Sequence, residues 1–210
     1  MPTFDDLIEN HYYINLDTRT DRRESCEEQL KKWNLVPNRF EAIKNRVGII
    51  GCGMSHLQLI ETAKRENKPY VCIFEDDIII GKSNQVKNTV NRILESKVDW
   101  DVLCLAGNAF EPHRHVADDY VMVSRMYCGT AYIVKRSYYD TIIKNIREGL
   151  ILLMTTNNKR DYAWDNHWLK LQQKDTFILI KPLSIYQKPD YSDIEGRQVD
   201  YKNLMLSLDK

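Results

Sequence analysis

Apolar and polar positions change period several times along the chain. Residues 11–16 are a short aromatic and β-branched run, which predicts a strand. From 22 to 33, Cys26, Leu30 and Trp33 recur at helical spacing and predict an amphipathic helix that Pro37 stops. Residues 38–43 form a second short strand. Gly51-Cys52-Gly53 reads as a turn opening a helix to about residue 66, with Met54, Leu57 and Ile60 inward. After Pro69, residues 70–74 are continuously apolar, as in a strand buried on both faces. Gly81 and Ser83 mark a turn before a helix striped by Val86, Val90, Ile93 and Leu94. Residues 101–106 are another buried strand. Residues 120–124 and 130–134 are two more, expected as antiparallel neighbours. Ser137 reads as an N-cap with Asp140 completing a capping box. The helix it starts buries Tyr138, Ile142, Ile143 and Ile146 and ends at Gly149. A last helix over 163–173 turns Trp164, Trp168 and Leu171 inward. A strand follows at 176–181, and residues 183–210 read largely as loop or tail. The alternation predicts one α/β domain over 1–210, with a mostly parallel central sheet flanked by helices.

Composition narrows the classes. The 210 residues carry 30 Lys and Arg against 30 Asp and Glu, so the net charge is zero. That balance argues against a dedicated nucleic-acid binder. Hydrophobic residues at 43% and charged residues at 29% fit a folded domain with a sizeable core. The longest stretch without a charge, residues 47–60, is too short and too polar for a transmembrane helix. The acidic opening residues lack the apolar run of a signal peptide. Five widely spaced cysteines, several inside apolar runs, read as reduced thiols in a cytoplasmic protein.

Ligands of α/β sheets bind beyond the carboxyl ends of the strands. The first strand is followed by Asn15, Asp17, Arg19, Arg22 and Arg23. Arginines at a helix start suit a phosphate; they equally suit a solvated helix end paired with Asp17 and Asp21. The most apolar strand ends in Glu75-Asp76-Asp77. Buried like charges need compensation, and a divalent cation held by carboxylate oxygens supplies it; a neighbouring Lys or Arg would do so too. Along an extended strand Glu75 and Asp77 project together and Asp76 faces away. The glycine turn before Ser55-His56 lets backbone approach a ligand. His113-Arg114-His115 reads as a solvated loop. Asp165, close to His167 and between tryptophans, is either a general base with a raised pKa or first-turn dipole compensation.

These pieces together resemble glycosyltransferase family 25. The resemblance rests on Tyr12-Tyr13-Ile14-Asn15-Leu16-Asp17 with Arg19, Arg22 and Arg23, on Phe40-Glu41-Ala42-Ile43, and on Gly51-Cys52-Gly53-Met54-Ser55-His56. It continues through Tyr70-Val71-Cys72-Ile73-Phe74-Glu75-Asp76-Asp77, Gly129-Thr130-Ala131-Tyr132-Ile133-Val134, and Pro182 through Gln187 to Ser192-Asp193-Ile194. The family contains lipooligosaccharide glycosyltransferases and collagen hydroxylysine galactosyltransferases. The resemblance implies a GT-A fold and an inverting transfer of galactose or glucose from a UDP-sugar, with Mn2+ or Mg2+. It implies an acceptor hydroxyl on a glycan or a hydroxylated peptide. The triplet matches the family's DXD-like motif. That assigns Asp77 and Glu75 to the metal, with His167 and Gln187 as candidates to complete its shell. Asn15, Asp17, Arg19, Arg22, Ser55, His56, Glu75 and Asp76 are then donor-binding, and Asp165 is the base. Tyr127, Tyr132, Trp164 and Trp168 are core residues or a stacking face for sugar or uracil. The competing classes are a catalytically silent relative that binds a glycoprotein or sugar nucleotide, and a metal-dependent nucleotide phosphohydrolase. The compact length leaves little chain for acceptor recognition.

Overall fold

Four apolar runs have no polar face to give to solvent, and they form the middle of the sheet. The computed structural model describes all 210 residues. In chain order the elements begin α1 (Phe4–Ile8), β1 (His11–Asn15), α2 (Thr20–Leu30), β2 (Arg39–Glu41), α3 (Gly48–Arg65), β3 (Tyr70–Glu75), β4 (Ile78–Ile80) and α4 (Ser83–Glu95). Then come β5 (Val102–Ala109), β6 (His115–Val116), β7 (Tyr120–Met122), β8 (Met126–Lys135) and α5 (Tyr139–Thr156). The chain closes with α6 (Lys159–Tyr162), α7 (Trp164–His167), α8 (Leu169–Gln172), β9 (Phe177–Ile180), β10 (Ile185–Gln187), β11 (Asp190–Ser192), β12 (Arg197–Val199) and α9 (Lys202–Met205).

Eight strands form one sheet in the order β2-β1-β3-β8-β5-β9-β7-β6. β1 runs parallel to β2 and β3, and β5 runs parallel to β9. The pairings of β8 with β3 and β5, and of β7 with β9 and β6, are antiparallel. The fold is therefore α/β around a mixed central sheet, with parallel pairing concentrated where β2, β1 and β3 meet. Strand alternation sorts the side chains into two cores. Val71 and Ile73 of β3 join Leu59 and Ile60 of α3 on one face. Cys72 and Phe74 join Cys26 and Leu30 of α2 on the other. All five cysteines are free thiols, and no helix is long and apolar enough to cross a membrane.

The structure corrects several expected boundaries. α3 begins at Gly48, so Gly51-Cys52-Gly53 lies inside the helix. The glycines are there for close packing: a Cβ on Gly51 would sit 2.3 Å from the Ile43 carbonyl oxygen, and one on Gly53 would sit 3.0 Å from Leu150. Gly149 likewise does not end α5, because it makes room for the His167 ring; the helix runs on to Asn157, which is left-handed at φ 54. Ser137 caps nothing, since a 3-10 turn over Arg136–Tyr138 precedes α5, and Asp140 instead pairs with Lys64. β7 and β8 are not neighbours, because the long β8 is held between β3 and β5. The helix expected over 163–173 is divided into α7 and α8. The segment after Pro182 is more ordered than a tail: β10 pairs with β4, and β11 with β12.

Candidate active site

From β1 the chain passes through α2 to β2 at the edge, then returns through α3 to β3 on the other side of β1. Helices on opposite faces and strands on opposite sides make the carboxyl ends of β1 and β3 a switch point, where α/β sheets open a crevice. A cavity of about 430 Å³ lies there. Its walls include Arg19, Arg22, His56, Glu75, Asp77 and Gln187.

Alternation along β3 decides where the first two acids go. Glu75 follows Val71 and Ile73 to the α3 side, where its Oε1 lies 3.6 Å from His56 Nε2 and its Oε2 accepts from Gln187 Nε2 at 3.1 Å. Asp76 follows Cys72 and Phe74 to the α2 side, accepting from Asn15 Nδ2 at 2.7 Å and Arg22 Nη1 at 3.1 Å. Asp77 lies past the strand end, so the expected alternation stops short of it. It shares Arg22 with Asp76, at 3.4 Å, instead of projecting with Glu75 alone. All three acids still line the one cavity. Burial, then the charge of Asp76, pushes Glu75 up to about 7. Burial, then the charge of Glu75, pushes Asp77 up to about 8. Asp77 Oδ1 is buried without a hydrogen-bond partner. Oxygen donors in excess of positive charge, one of them unpartnered, fit a hard divalent cation. Glu75 and Asp77 are the residues that would hold it, with the Gln187 amide against Glu75.

Arg22 is the counterion the protein itself provides. Burial disfavours its charge, but Asp77 and Asp76 outweigh that and hold it protonated. Arg22 also reaches Asp190 at 3.1 Å, and Arg19 reaches Asp190 at 2.8 Å and Asp193 at 2.5 Å. The closing segment thus straps the start of α2. Asn15 orients both sides, since its Nδ2 also donates to the Arg19 carbonyl and its Oδ1 accepts from Arg39.

His56 forms the α3 wall. Its ring stacks on Trp164 at 4.0 Å, and its Nδ1 meets the Tyr132 hydroxyl at 2.8 Å. Burial pushes it down to about 3, so the imidazole is neutral. Trp164 fits because position 129 is glycine; a Cβ there would lie 2.0 Å from the indole. The adjoining Cys128 takes φ 65 and aims its N–H at Asp165 Oδ2, 3.1 Å away. Burial, then the charge of Glu75, raises the Asp165 carboxyl. Asp165 is thus electrostatically joined to the triplet, although it does not line the cavity.

Other candidates are not brought together. Asp17 turns outward to Arg23 and Arg39. Ser55 is buried within the helix packing, donating to the Gly51 carbonyl and accepting from Ile43 N–H. His167 faces α5, with Glu148 at 3.8 Å and its ring against Gly149, so it is no ligand at the triplet. Tyr132, Trp164 and Trp168 are core residues, and Tyr127 packs on Phe110. The sequence reading missed Cys52, Lys44, Arg46, Asp190 and Asp193. Cys52 had a signal: it precedes His56 by four residues and so shares its helix face. Lys44 and Arg46 lie in the segment that follows β2 and line the cavity, as the residues after β1 and β3 do.

The sequence profile described as glycosyltransferase family 25 (LPS biosynthesis protein) matches residues 46–149, which include His56 and the acidic triplet. A Haemophilus influenzae protein named as a glycosyltransferase is 42% identical over 57 residues, 27% of this chain. The matched stretch spans about a fifth of that relative's length, 20%. Among solved structures, a glycosyltransferase involved in glycosylation of the major capsid of PBCV-1 aligns at TM-score 0.47 and 9% identity, over 82% of this chain and 81% of that one. Drosophila β1,4-galactosyltransferase 7, crystallised as a mutant with manganese, UDP-Gal and xylobiose, aligns at TM-score 0.36 and 12% identity, over 63% of this chain and 50% of that one.

Proposed function

We propose that this chain is a member of glycosyltransferase family 25, on the profile match over residues 46–149, and that it carries out a cation-dependent, inverting hexosyl transfer on a GT-A-type fold. The donor is a UDP-sugar carrying galactose or glucose, and the acceptor is a hydroxyl of a glycan or of a hydroxylysine-type residue. The cation is Mn2+ or Mg2+, and the setting is the cytoplasm. One observation carries the reading: three under-neutralised carboxylates face two arginines across a single cavity at the switch point of the sheet.

When bound, the cation supplies positive charge against a diphosphate leaving group. The chain's own residues supply the rest. Arg19 and Arg22 offer fixed guanidinium donors suited to phosphate oxygens, and a diphosphate would take over contacts they now make to Asp190 and Asp193. Gln187 holds the Glu75 carboxylate by a hydrogen bond, and the neutral His56 ring lies 3.6 Å from its other oxygen. Asp165 has the raised affinity for a proton that a general base needs. In the proposed step the acceptor oxygen bonds to the anomeric carbon from the face opposite the diphosphate. The bond from that carbon to the phosphate oxygen breaks, and the hydroxyl proton passes to Asp165.

A panel of nucleotide sugars, with manganese or with chelator, tests this when both nucleotide release and glycosylated product are followed. One donor is expected to be turned over, and chelator is expected to stop it. Full turnover in chelator overturns the cation. Nucleotide release without a glycoside product favours a phosphohydrolase, and tight donor binding without turnover favours a silent relative. Asp165→Asn is expected to cut transfer about 100-fold or more while donor binding persists; lost donor binding reassigns the residue.

A further inference from the structure

His56 is fully buried, yet its Nε2 has no hydrogen-bond partner. A buried polar nitrogen without a partner is costly unless something binds there. The atom points at Glu75 Oε1, 3.6 Å away. Cys52, one helical turn earlier on α3, brings its Sγ to the same place, and the three donor atoms all lie within 4.8 Å of one another. We propose that Cys52, His56 and Glu75 form a second metal site, selective for a thiophilic divalent cation such as zinc and sharing Glu75 with the all-oxygen site at Asp77.

The geometry is close to what zinc requires. With Zn–N and Zn–O bonds of about 2.0–2.1 Å and Zn–S of about 2.3 Å, tetrahedral ligand atoms sit roughly 3.3–3.6 Å apart. The His56–Glu75 pair is already at that separation, and the sulfur lies within 4.8 Å of both atoms. Tyr132 sits at Nδ1 of His56. With Nδ1–H donating to the Tyr132 oxygen, the lone pair of Nε2 is left for a metal, which is how ligating histidines are held. The stacked Trp164 fixes the plane of the ring. Cys52, His56 and Glu75 all line the cavity, so an ion has a path in, and a fourth position stays open to water. A sulfur, nitrogen and oxygen donor set favours zinc over manganese or magnesium, which prefer oxygen alone. On binding, the Cys52 sulfur forms a bond to the metal and its proton leaves to solvent. Both sites draw on Glu75, so a zinc ion here competes with a hard cation at Asp77.

Cobalt and zinc titrations of the metal-free full chain test the site without any transferase assay. The wild type is expected to bind one cobalt ion with a thiolate-to-cobalt charge-transfer band and tetrahedral ligand-field bands, and zinc is expected to displace it. Zinc is also expected to raise the melting temperature. Cys52→Ser should lose the band and weaken zinc binding by about 100-fold. Cys128→Ser, at the other half-buried thiol, and Asp77→Asn should keep the band. A wild-type cobalt spectrum without a thiolate band overturns the site, whether or not the serine variant folds. So does undiminished zinc binding in Cys52→Ser, or loss of the band in Cys128→Ser. These readings stand whatever the donor panel shows, so failure of the site and failure of the transferase reading are separable.

Discussion

On the surface, Asp119 faces Arg92 through both of its oxygens, at 3.1 and 3.0 Å from Nε. Asp99 takes Lys135 at 2.7 Å, and that lysine holds its carboxyl below the usual range. In the cavity the ratio is reversed. Asp76 and Asp77 share the one guanidinium of Arg22, which reaches Asp190 as well. Glu75 has only the Gln187 amide as a hydrogen-bond donor, with a neutral histidine 3.6 Å away. There the Glu75 and Asp77 carboxyls are raised, first by burial and then by a neighbouring acid. Identical side chains therefore reach opposite states, and the difference is whether each anion has its own cation. The surface pairs are complete without a ligand. The cavity is built to be completed by something positive.

Asp77→Asn attacks that contrast most directly. Transfer is expected to fall about 100–1,000-fold, since an oxygen donor to the cation and its charge are lost. The metal-free protein is expected to melt at a higher temperature than wild type, because one of the mutually repelling charges has gone. Activity lost together with stability would break the contrast and make Asp77 a structural residue. Arg22→Met works from the other side. It strands Asp76 and Asp77 beside Glu75, and urea unfolding is expected to show a loss of about 3 kcal/mol. Arg92→Met at the surface should cost under about 1 kcal/mol. Equal losses at the two arginines would erase the distinction.

Much of this site was legible along the chain. The acids stand at the end of a run that can only be a central strand, and the arginines stand at the end of another. Topology then needed only to place those strand ends side by side. Histidines were harder. His56 and His167 each lie on a helix, and nothing in the neighbouring sequence shows which of them meets the triplet. What decides is the face each helix turns to the sheet: α3 presents His56 to β3, and α7 presses His167 onto Gly149 of α5. Asp190, and the part Asp193 plays inside the Ser192-Asp193-Ile194 motif, were hidden for another reason. They reach Arg19 and Arg22 from the far end of the sequence, through a segment whose polar composition reads as loop. The glycines of α3 and α5 were misread as turns because close packing and chain reversal call for the same residue.

The pH dependence of stability extends the comparison. Unfolded Asp and Glu titrate near 4. In the folded chain Glu75 is raised to about 7 and Asp77 to about 8. Between those limits the folded state keeps protons that the unfolded state has released. Stability from these groups is therefore complete below about pH 4 and is lost as pH rises through 7 to 8. The metal-free melting temperature is expected to fall across that range, and saturating manganese should flatten the fall. Asp99 contributes with the opposite sign, because its carboxyl is lowered in the folded state. Its contribution is present above the unfolded value and lost in acid. A melting temperature that rises from pH 6 to 8 without metal would show that the cavity carboxylates are already neutralised by the protein.

The smallest expected effect sharpens the boundary of the site. Ser55 adjoins His56 in sequence, but its hydroxyl accepts from Ile43 N–H at 2.9 Å and donates to the Gly51 carbonyl at 2.8 Å. It fastens the chain leaving β2 to the first turns of α3. Ser55→Ala leaves the Ile43 N–H without its partner, at a cost of about 1–2 kcal/mol. Gly51 packs against the Ile43 carbonyl oxygen at the same place, so the helix start has little room to shift and recover the bond. Donor affinity measured on the folded variant is expected to stay within about twofold of wild type, because a stability effect of this size leaves nearly all the protein native. A tenfold loss of donor affinity with unchanged unfolding would instead place the Ser55 hydroxyl on the ligand side of α3. The cavity would then extend past the His56 wall toward Ile43, and the contrast drawn from His56 and Glu75 would have to include a neutral hydroxyl.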